Sequence, residues 1–539
     1  MTDSKNGEQQ IEVAERDDNS QNEKNNEVDT NSVSVEENEK KINIKDADEL
    51  LKFMDKYESE VEPLTPEEEK KFVKKNFTIV SLLTTLVTLI LFMDKSTIGY
   101  TTILGIYADT GISKGDFNNL NSIFYAGYLI AQWPCHVLLQ KLPLGKYLAG
   151  SVFLWALIVG LTAVCNDYGG LMACRFFLGA AESVVVPACE ITLGMFLTSK
   201  QREVAQPVFW AATAAAPLIS SFVSFGLMHT HTSTYPWRIF MALNAGLSLL
   251  LAIVVLFFYP NNPADAKFLS TKEKVFLIKQ VQESTESSIE QKTIKKYQIY
   301  ETLKDPVSWL FFFQSFTLML SNSLTYQQNQ LYVDIGVDNL GSSLVSAAGS
   351  AWDILLYVIF AFVILKYPNQ NGYIAAGCML LPIASGIAMV TIEWSNKYAL
   401  LACMILAASS KGVTYIVALG WTTSSVAGYT KKLYRNVMFM LAYGAANIIS
   451  PQLWNPNDAP RYFPSWIVQI VVSFFLNIVI LLSIRYILAK RNKERYQWIQ
   501  EHPYDNFGIV TFEEGGSEKV NIAMLDLTDF ENKRFVYPL

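Results

Sequence analysis

The stretch RFFLGAAES, inside the longer apolar run GLMACRFFLGAAESVVVPACEITLGMF, carries Arg175 and Glu182. Each charge costs about 2.5–3.5 kcal/mol at the centre of a membrane helix. Their spacing is nearly two helical turns, so they share a face and stand about 10 Å apart along the axis. That is too far for a direct pair, so each needs another helix or a substrate. Burial disfavours the ionised form of a carboxylate, so Glu182 can take up a proton near neutral pH. An arginine keeps its charge and suits an anion or a counter-ion. The chemistry expected is proton coupling at Glu182 with Arg175 as anion anchor. The plainer alternative is a structural charge locked to a partner helix.

Other polar residues recur at comparable depth. Asp94 and Lys95 are adjacent in LILFMDKSTIGY and so point in different directions. Lys95 is expected to snorkel to the outer surface while Asp94 faces inward, or both to form an interfacial cap. Asp353 in GSAWDILLYV and Lys411 in AASSKGVTY lie near the centres of their runs. Matched depth predicts an interhelical ion pair; the alternative is that Lys411 contacts an anionic substrate. Tyr326, Gln327, Gln328 and Asn329 put hydrogen-bonding side chains at the outer end of another run. They suit a polar small molecule, and equally a helix emerging into water. His136 reads as a satisfied core histidine.

These residues are positioned by repeated apolar blocks, each long enough to cross a bilayer in about 20 residues. The spans read as 76–98, 117–139, 147–166, 170–193, 205–228, 237–259, 307–329, 342–365, 372–392, 398–421, 434–453 and 464–489. The expected fold is an all-α membrane protein with twelve transmembrane helices in two six-helix halves, residues 76–259 and 307–489. A polar central loop, 260–306, separates them. That symmetry suits a transporter with its site between the halves. Lys and Arg concentrate before span 1 (Lys70, Lys71, Lys74, Lys75), at the even-numbered ends, in the central loop, and after span 12 (Lys490, Arg491, Lys493, Arg495). The opposite loops hold chiefly Lys114, Lys397 and Arg461. Both termini are therefore expected in the cytosol.

Residues 1–75 are polar and acidic and are expected to be largely disordered, with a short helix at DADELLKFMDKY (46–57). They supply most of the formal net charge of −7, so the charge does not point to nucleic acid. Residues 490–539 form the second tail. No apolar signal core precedes span 1. The six cysteines lie in or beside apolar runs without metal-ligand spacing, and no disulfide framework is expected. The chain lacks GxxxxGK[ST], HExxH, GxSxG and a CxxC pair, so neither ATP nor a catalytic or metal centre drives it. Small residues in span 4 (Gly179, Ala180, Ala181) permit close helix contact. Pro187, Pro217 and Pro451 can kink helices where neighbours re-satisfy the backbone.

RFFLGAAES (175–183), WRIF (237–240), PNNPADAKFLSTKEK (260–274), LFMDK, QWP (132–134) and NIISPQLW (447–454) together resemble the major facilitator superfamily, in its fungal anion:cation symporter branch typified by allantoate permease. QKLPLGKYL, SSIEQK, YQQN, GYTKKL and DLTDFENKRFVYPL look closest to the cysteine-carrying members of that branch. The resemblance implies proton-driven import of cysteine or a related sulfur-containing organic anion across the plasma membrane. It assigns transport roles to Arg175 and Glu182, and Gln132 and Asn447 join the substrate-contact candidates through their motifs. Cys135 stands where a small residue usually follows QxP, and Asp353 and Lys411 are additions to the branch pattern. Alternatives are another carboxylate or sulfonate (allantoate, ureidosuccinate, a dipeptide, a vitamin), or a nutrient sensor on a transporter scaffold. An internal membrane is the alternative location. The expected partners are a small-molecule substrate, a proton and the bilayer, with the chain acting as a monomer and without a cofactor.

Overall fold

The computed structural model describes residues 42–43, 53–54, 56–57, 61–230, 232–285, 294–502, 507–511, 517–521 and 526–539. Most of the N-terminal tail and the segment SSIEQK therefore lie outside the described residues. Within 46–57, Phe53, Met54, Lys56 and Tyr57 are helical.

The twelve spans are helices in two groups of six. Span 1 is Pro66–Thr101, span 2 Lys114–Lys141 and span 3 Leu144–Thr162. Span 4 comprises Tyr168–Glu182 and Val185–Phe196, span 5 is Ser199–Met228 and span 6 Pro236–Phe258. Span 7 comprises Pro306–Met319 and Ser323–Ile335, span 8 is Asn339–Lys366, and span 9 comprises Asn371–Cys378 and Leu380–Thr391. Span 10 is Lys397–Ser424 and span 11 Tyr429–Ile449. Span 12 runs from Phe463 to Glu501 with a π-helical turn over Gln469–Phe475. Among the described residues nine helices are long and apolar enough to cross a membrane. Span 7 falls outside that group because it is split into helices of 14 and 13 residues, and spans 2 and 11 because of their polar side chains, such as Asn118, Asn121, Gln132 and Arg435.

Span 1 starts well before its apolar run. Pro66 occupies the first turn, and Thr65 and Glu68 form a reciprocal capping box, which satisfies two amide donors that a helix start leaves open. The central loop is structured, with helices Thr271–Thr285 and Lys296–Lys304. A small sheet joins β1 (Ile42–Asn43) in parallel to β2 (Phe507–Thr511), which pairs antiparallel with β3 (Ser517–Asn521).

Spans 4 and 7 break at short polar steps, Glu182-Ser183 and Ser321-Asn322-Ser323. Backbone groups freed inside a membrane must find partners within the protein. At the span 4 break, Gln132 Nε2 donates to the Ser183 carbonyl at 3.1 Å. At the span 7 break, Ser450 Oγ and Gln469 Nε2 donate to the Leu320 carbonyl at 2.8 and 3.1 Å. Lys411 Nζ donates to the Ser321 carbonyl at 2.8 Å. Gln132 and Lys411 thus hold broken backbone in place.

The two ends of the bundle differ. At the loop end, opposite the central loop, the halves are bonded to each other. Gln327 Nε2 donates to Asn118 Oδ1 at 2.7 Å, Ser122 Oγ to the Ile448 carbonyl at 2.8 Å, and Gln452 Nε2 to Asn119 Oδ1 at 3.2 Å. Tyr125 Oη meets Tyr326 Oη and, at 3.3 Å, Tyr443 Oη. Lys114 reaches Asp334 at 3.2 Å. At the tail end a vestibule of about 470 Å³ lies between the halves, lined by Glu190, Arg202 and Gln206 on one side and Trp421 and Lys432 on the other.

Residues 526–539 close over the tail end of the second half. Asp526 pairs with Lys295 at 2.9 Å, Asp529 with Lys431 at 2.7 Å, and Trp421 Nε1 donates to the Pro538 carbonyl at 2.7 Å. Below them Asp305 bridges Arg435 (2.5 Å) and Arg491 (2.7 Å). Burial works against its charge, but the two guanidiniums hold the Asp305 carboxyl below its usual range.

Spans 2 and 4 cross at two glycines. A Cβ on Gly127 would lie 2.0 Å from the Phe176 carbonyl oxygen, and one on Gly179 would lie 1.9 Å from that of Phe124. This approach brings Arg175 and Glu182 against spans 1 and 2. Gly179→Leu is expected to force the helices apart, at about 1–3 kcal/mol or more for overpacking. Gly226→Leu, with nothing within 4 Å of its Cβ position, serves as control. The Gly179 variant should lose its monodisperse size-exclusion peak while the Gly226 variant keeps it.

Candidate functional site

Asp94 and Lys95 (span 1) and Arg175 and Glu182 (span 4) are all buried. They form one buried group, of which Lys95 lines the central cavity. Lys95 Nζ stands 3.8 Å from Glu182 Oε2, an ion pair beyond hydrogen-bonding distance. Among the described residues neither Glu182 oxygen has a hydrogen-bond partner. Asp94 Oδ2 accepts from Trp155 Nε1 at 3.1 Å. Among the described residues the ion pair of Glu182 is with Lys95 and none within 4.0 Å joins it to Arg175.

The structure corrects the reading of Lys95. It does not snorkel outward, because the rotation of span 1 turns Lys95 inward onto Glu182 of span 4, where it is buried. Its ammonium lies among four rings, 5.2 Å from Phe92, 5.9 Å from Phe124, 5.4 Å from Tyr128 and 6.0 Å from Tyr443. Ring faces stabilise a desolvated cation, so the lysine keeps a favourable place when its carboxylate partner changes.

The central cavity has a volume of about 140 Å³. Lys95, Tyr128 and Trp210 line it from the first half, and Tyr326, Gln328, Asp353, Lys411 and Tyr443 from the second. Spans 2 and 5 thus join spans 1, 4, 7, 8, 10 and 11 around it. Asp353 and Lys411 face the same space but are not the ion pair that matched depth predicts. Lys411 is turned to the Ser321 carbonyl, no pair within 4.0 Å forms among the described residues, and Asp353 Oδ1 accepts no hydrogen bond. The two interact through space only.

The span 7 cluster does not emerge into water, because its helix continues to Ile335. Its members have separate tasks. Tyr326 and Gln328 reach the cavity, and Tyr326 and Gln327 also seal the loop end against span 2. Asn329 accepts from Ser346 Oγ at 2.5 Å and donates to the Gly99 carbonyl at 3.4 Å, tying spans 1, 7 and 8. Asn447 Oδ1 accepts from Asn322 Nδ2 at 2.6 Å, beside the span 7 break. His136 Nδ1 lies 2.7 Å from the Gln132 carbonyl within its own helix. Sequence reasoning missed the rings around Lys95 and the indole on Asp94. The signal for the former was FYAGY (124–128), three aromatics flanking the glycine at which span 4 approaches.

Lys411→Met should leave the Ser321 carbonyl without its donor, costing about 1–3 kcal/mol. The check is thermal unfolding of the purified protein without substrate. An unchanged midpoint would contradict the backbone role.

Residues 84–451 match the family model of the Major Facilitator Superfamily. Over 511 residues the chain is 44% identical to an uncharacterized transporter of Schizosaccharomyces pombe, covering 93% of this chain and 89% of that protein. Over 506 residues it is 41% identical to the high affinity cysteine transporter of Saccharomyces cerevisiae, covering 92% and 95%. The allantoate permease of the same yeast is 26% identical over 525 residues, covering 94% and 93%. Among solved structures, the proton:xylose symporter XylE superimposes with a TM-score of 0.60 at 14% identity, over 77% of this chain and 96% of that one. Two six-helix halves around a central cavity fit such a relationship, and the chain belongs to the Major Facilitator Superfamily, as a multi-pass membrane transporter of a small molecule and not an enzyme.

Proposed function

We propose that this protein is a proton-coupled symporter that imports cysteine or a related small sulfur-containing organic anion. In this reading it acts as a monomer in the plasma membrane with both termini in the cytosol. The substrate class is supported by the identity to the yeast cysteine transporter across nearly the whole of both chains. The orientation is supported by the Lys and Arg bias of the flanks. With the tails in the cytosol, the bonded loop end faces outward and the vestibule faces inward.

One observation carries the coupling. Lys95 is the direct counter-ion of Glu182, and it also lines the cavity in which a substrate would sit. An incoming carboxylate competes for the Lys95 ammonium. Glu182 is then left beside Asp94 with a weakened counter-ion, and two carboxylates in one desolvated site share a proton instead of both staying ionised. Anion binding and proton binding thereby favour each other. Arg175 balances Asp94 throughout, which keeps the group from demanding a second proton. The rings hold Lys95 while it exchanges one carboxylate for another.

In proteoliposomes, Glu182→Gln should abolish accumulation of labelled cysteine driven by a pH gradient. Exchange of labelled for unlabelled cysteine, which needs no net proton movement, should persist. Accumulation at the wild-type level would sink the coupling role. Lys95→Ala should raise the half-saturation concentration for cysteine by about tenfold or more, the value of one charge-assisted contact in a buried site. Uptake measured against concentration provides that check.

A further inference from the structure

We propose that the central cavity recognises its substrate as a zwitterion, with the substrate's carboxylate on Lys95 and its ammonium on Asp353. This rests on the transport reading above and narrows its substrate class to α-amino acids with small side chains.

Asp353 lies in span 8 and faces the same cavity as Lys95. Its Oδ1 is buried and accepts no hydrogen bond. Its nearest charge is Lys411, whose ammonium is engaged 2.8 Å from the Ser321 carbonyl at the span 7 break. A carboxylate in a desolvated cavity without a direct partner is costly, and a correctly placed cation relieves that cost. A substrate ammonium is such a cation. Lys411 does not make this side of the cavity attractive to anions, because its charge and that of Asp353 cancel at a distance. A simple anion placed there meets the Asp353 carboxylate with no group to answer it.

The two recognition groups belong to different halves of the bundle: Lys95 to span 1 and Asp353 to span 8. A zwitterion spans both halves with one charged contact each, whereas a monoanion engages only the first. Neutral groups complete the second half's side, with Ser350, Ser409 and Tyr357 lining the cavity near Asp353. Span 10 meets span 8 closely there, since a Cβ on Gly412 would lie 2.2 Å from Tyr357 Oη.

The test uses the full-length protein in proteoliposomes and uptake of labelled cysteine under a pH gradient. The competitors are unlabelled cysteine and 3-mercaptopropionate, which keeps the thiol and carboxylate and lacks the amino group. For the wild type, the analogue should need a concentration about 10- to 100-fold higher than cysteine for half-inhibition. Asp353→Asn should raise the value for cysteine by a similar factor and leave that for the analogue unchanged. Asp353→Glu should restore part of the preference. Equal inhibition of the wild type by both compounds overturns the proposal, as does an Asp353→Asn variant that still prefers cysteine or loses both compounds alike. If Asp353→Asn yields no folded protein, the wild-type comparison and Asp353→Glu decide. A wild type that takes up neither compound overturns the substrate reading and this inference with it; uptake of cysteine without preference overturns this inference alone.

Discussion

The pairing of Lys95 with Glu182 across 3.8 Å is the interaction around which the first half is built. It places opposite charges close enough to tolerate burial but too far apart for a hydrogen bond, so the carboxylate remains under-satisfied. Several features exist to hold that compromise. Gly127 and Gly179 let spans 2 and 4 touch backbone to backbone, which brings Glu182 to span 1. Trp155 fixes Asp94 from span 3, and Arg175 supplies the second positive charge. The rings of Phe92, Phe124, Tyr128 and Tyr443 replace the water that an ammonium would otherwise need. Removing either member of the Lys95–Glu182 pair would leave a buried charge without its direct partner, which costs more than the pair itself contributes.

The second half follows another logic. Its buried polar residues mostly support broken or crossing backbone. Lys411, Gln469, Ser450 and Asn447 all act at or beside the span 7 break. Asp305, Arg435 and Arg491 lock the starts of spans 7 and 11 to the end of span 12. The first half thus gathers four buried charges at one site, and the second distributes its buried charges along its frame. Asp353 is the exception, a charge in the cavity wall that supports no backbone.

Much of this was legible in the sequence, for identifiable reasons. Membrane spans declare themselves because apolar length has no other use in such a chain, and the buried charges of span 4 stand out because insertion makes them expensive. The breaks in spans 4 and 7 were not legible. The residues that satisfy the freed carbonyls come from spans 2, 10 and 12 and from Ser450 just after span 11, far away in sequence, and a polar step inside a span does not by itself say that the helix breaks. The direction of Lys95 was misread because adjacency on a helix gives relative angles, not the absolute rotation of the helix. Matched depth correctly brought Asp353 and Lys411 to one space. It could not show that a backbone carbonyl had already claimed the lysine.

The bonds that join the halves at the loop end have a chemical character of their own. Gln327 with Asn118, Ser122 with the Ile448 carbonyl, Gln452 with Asn119, and the tyrosines Tyr125, Tyr326 and Tyr443 are all neutral. The ion pair among them, Lys114 with Asp334, is solvent-exposed at its lysine and contributes little. Neutral amides and hydroxyls do not titrate in the range where carboxylates do, and mobile ions screen them weakly. The bonds across this end are therefore nearly blind to the acidity and ionic strength of the medium that bathes it. A contact set of this kind keeps its strength through swings of salt that would loosen one built from ion pairs.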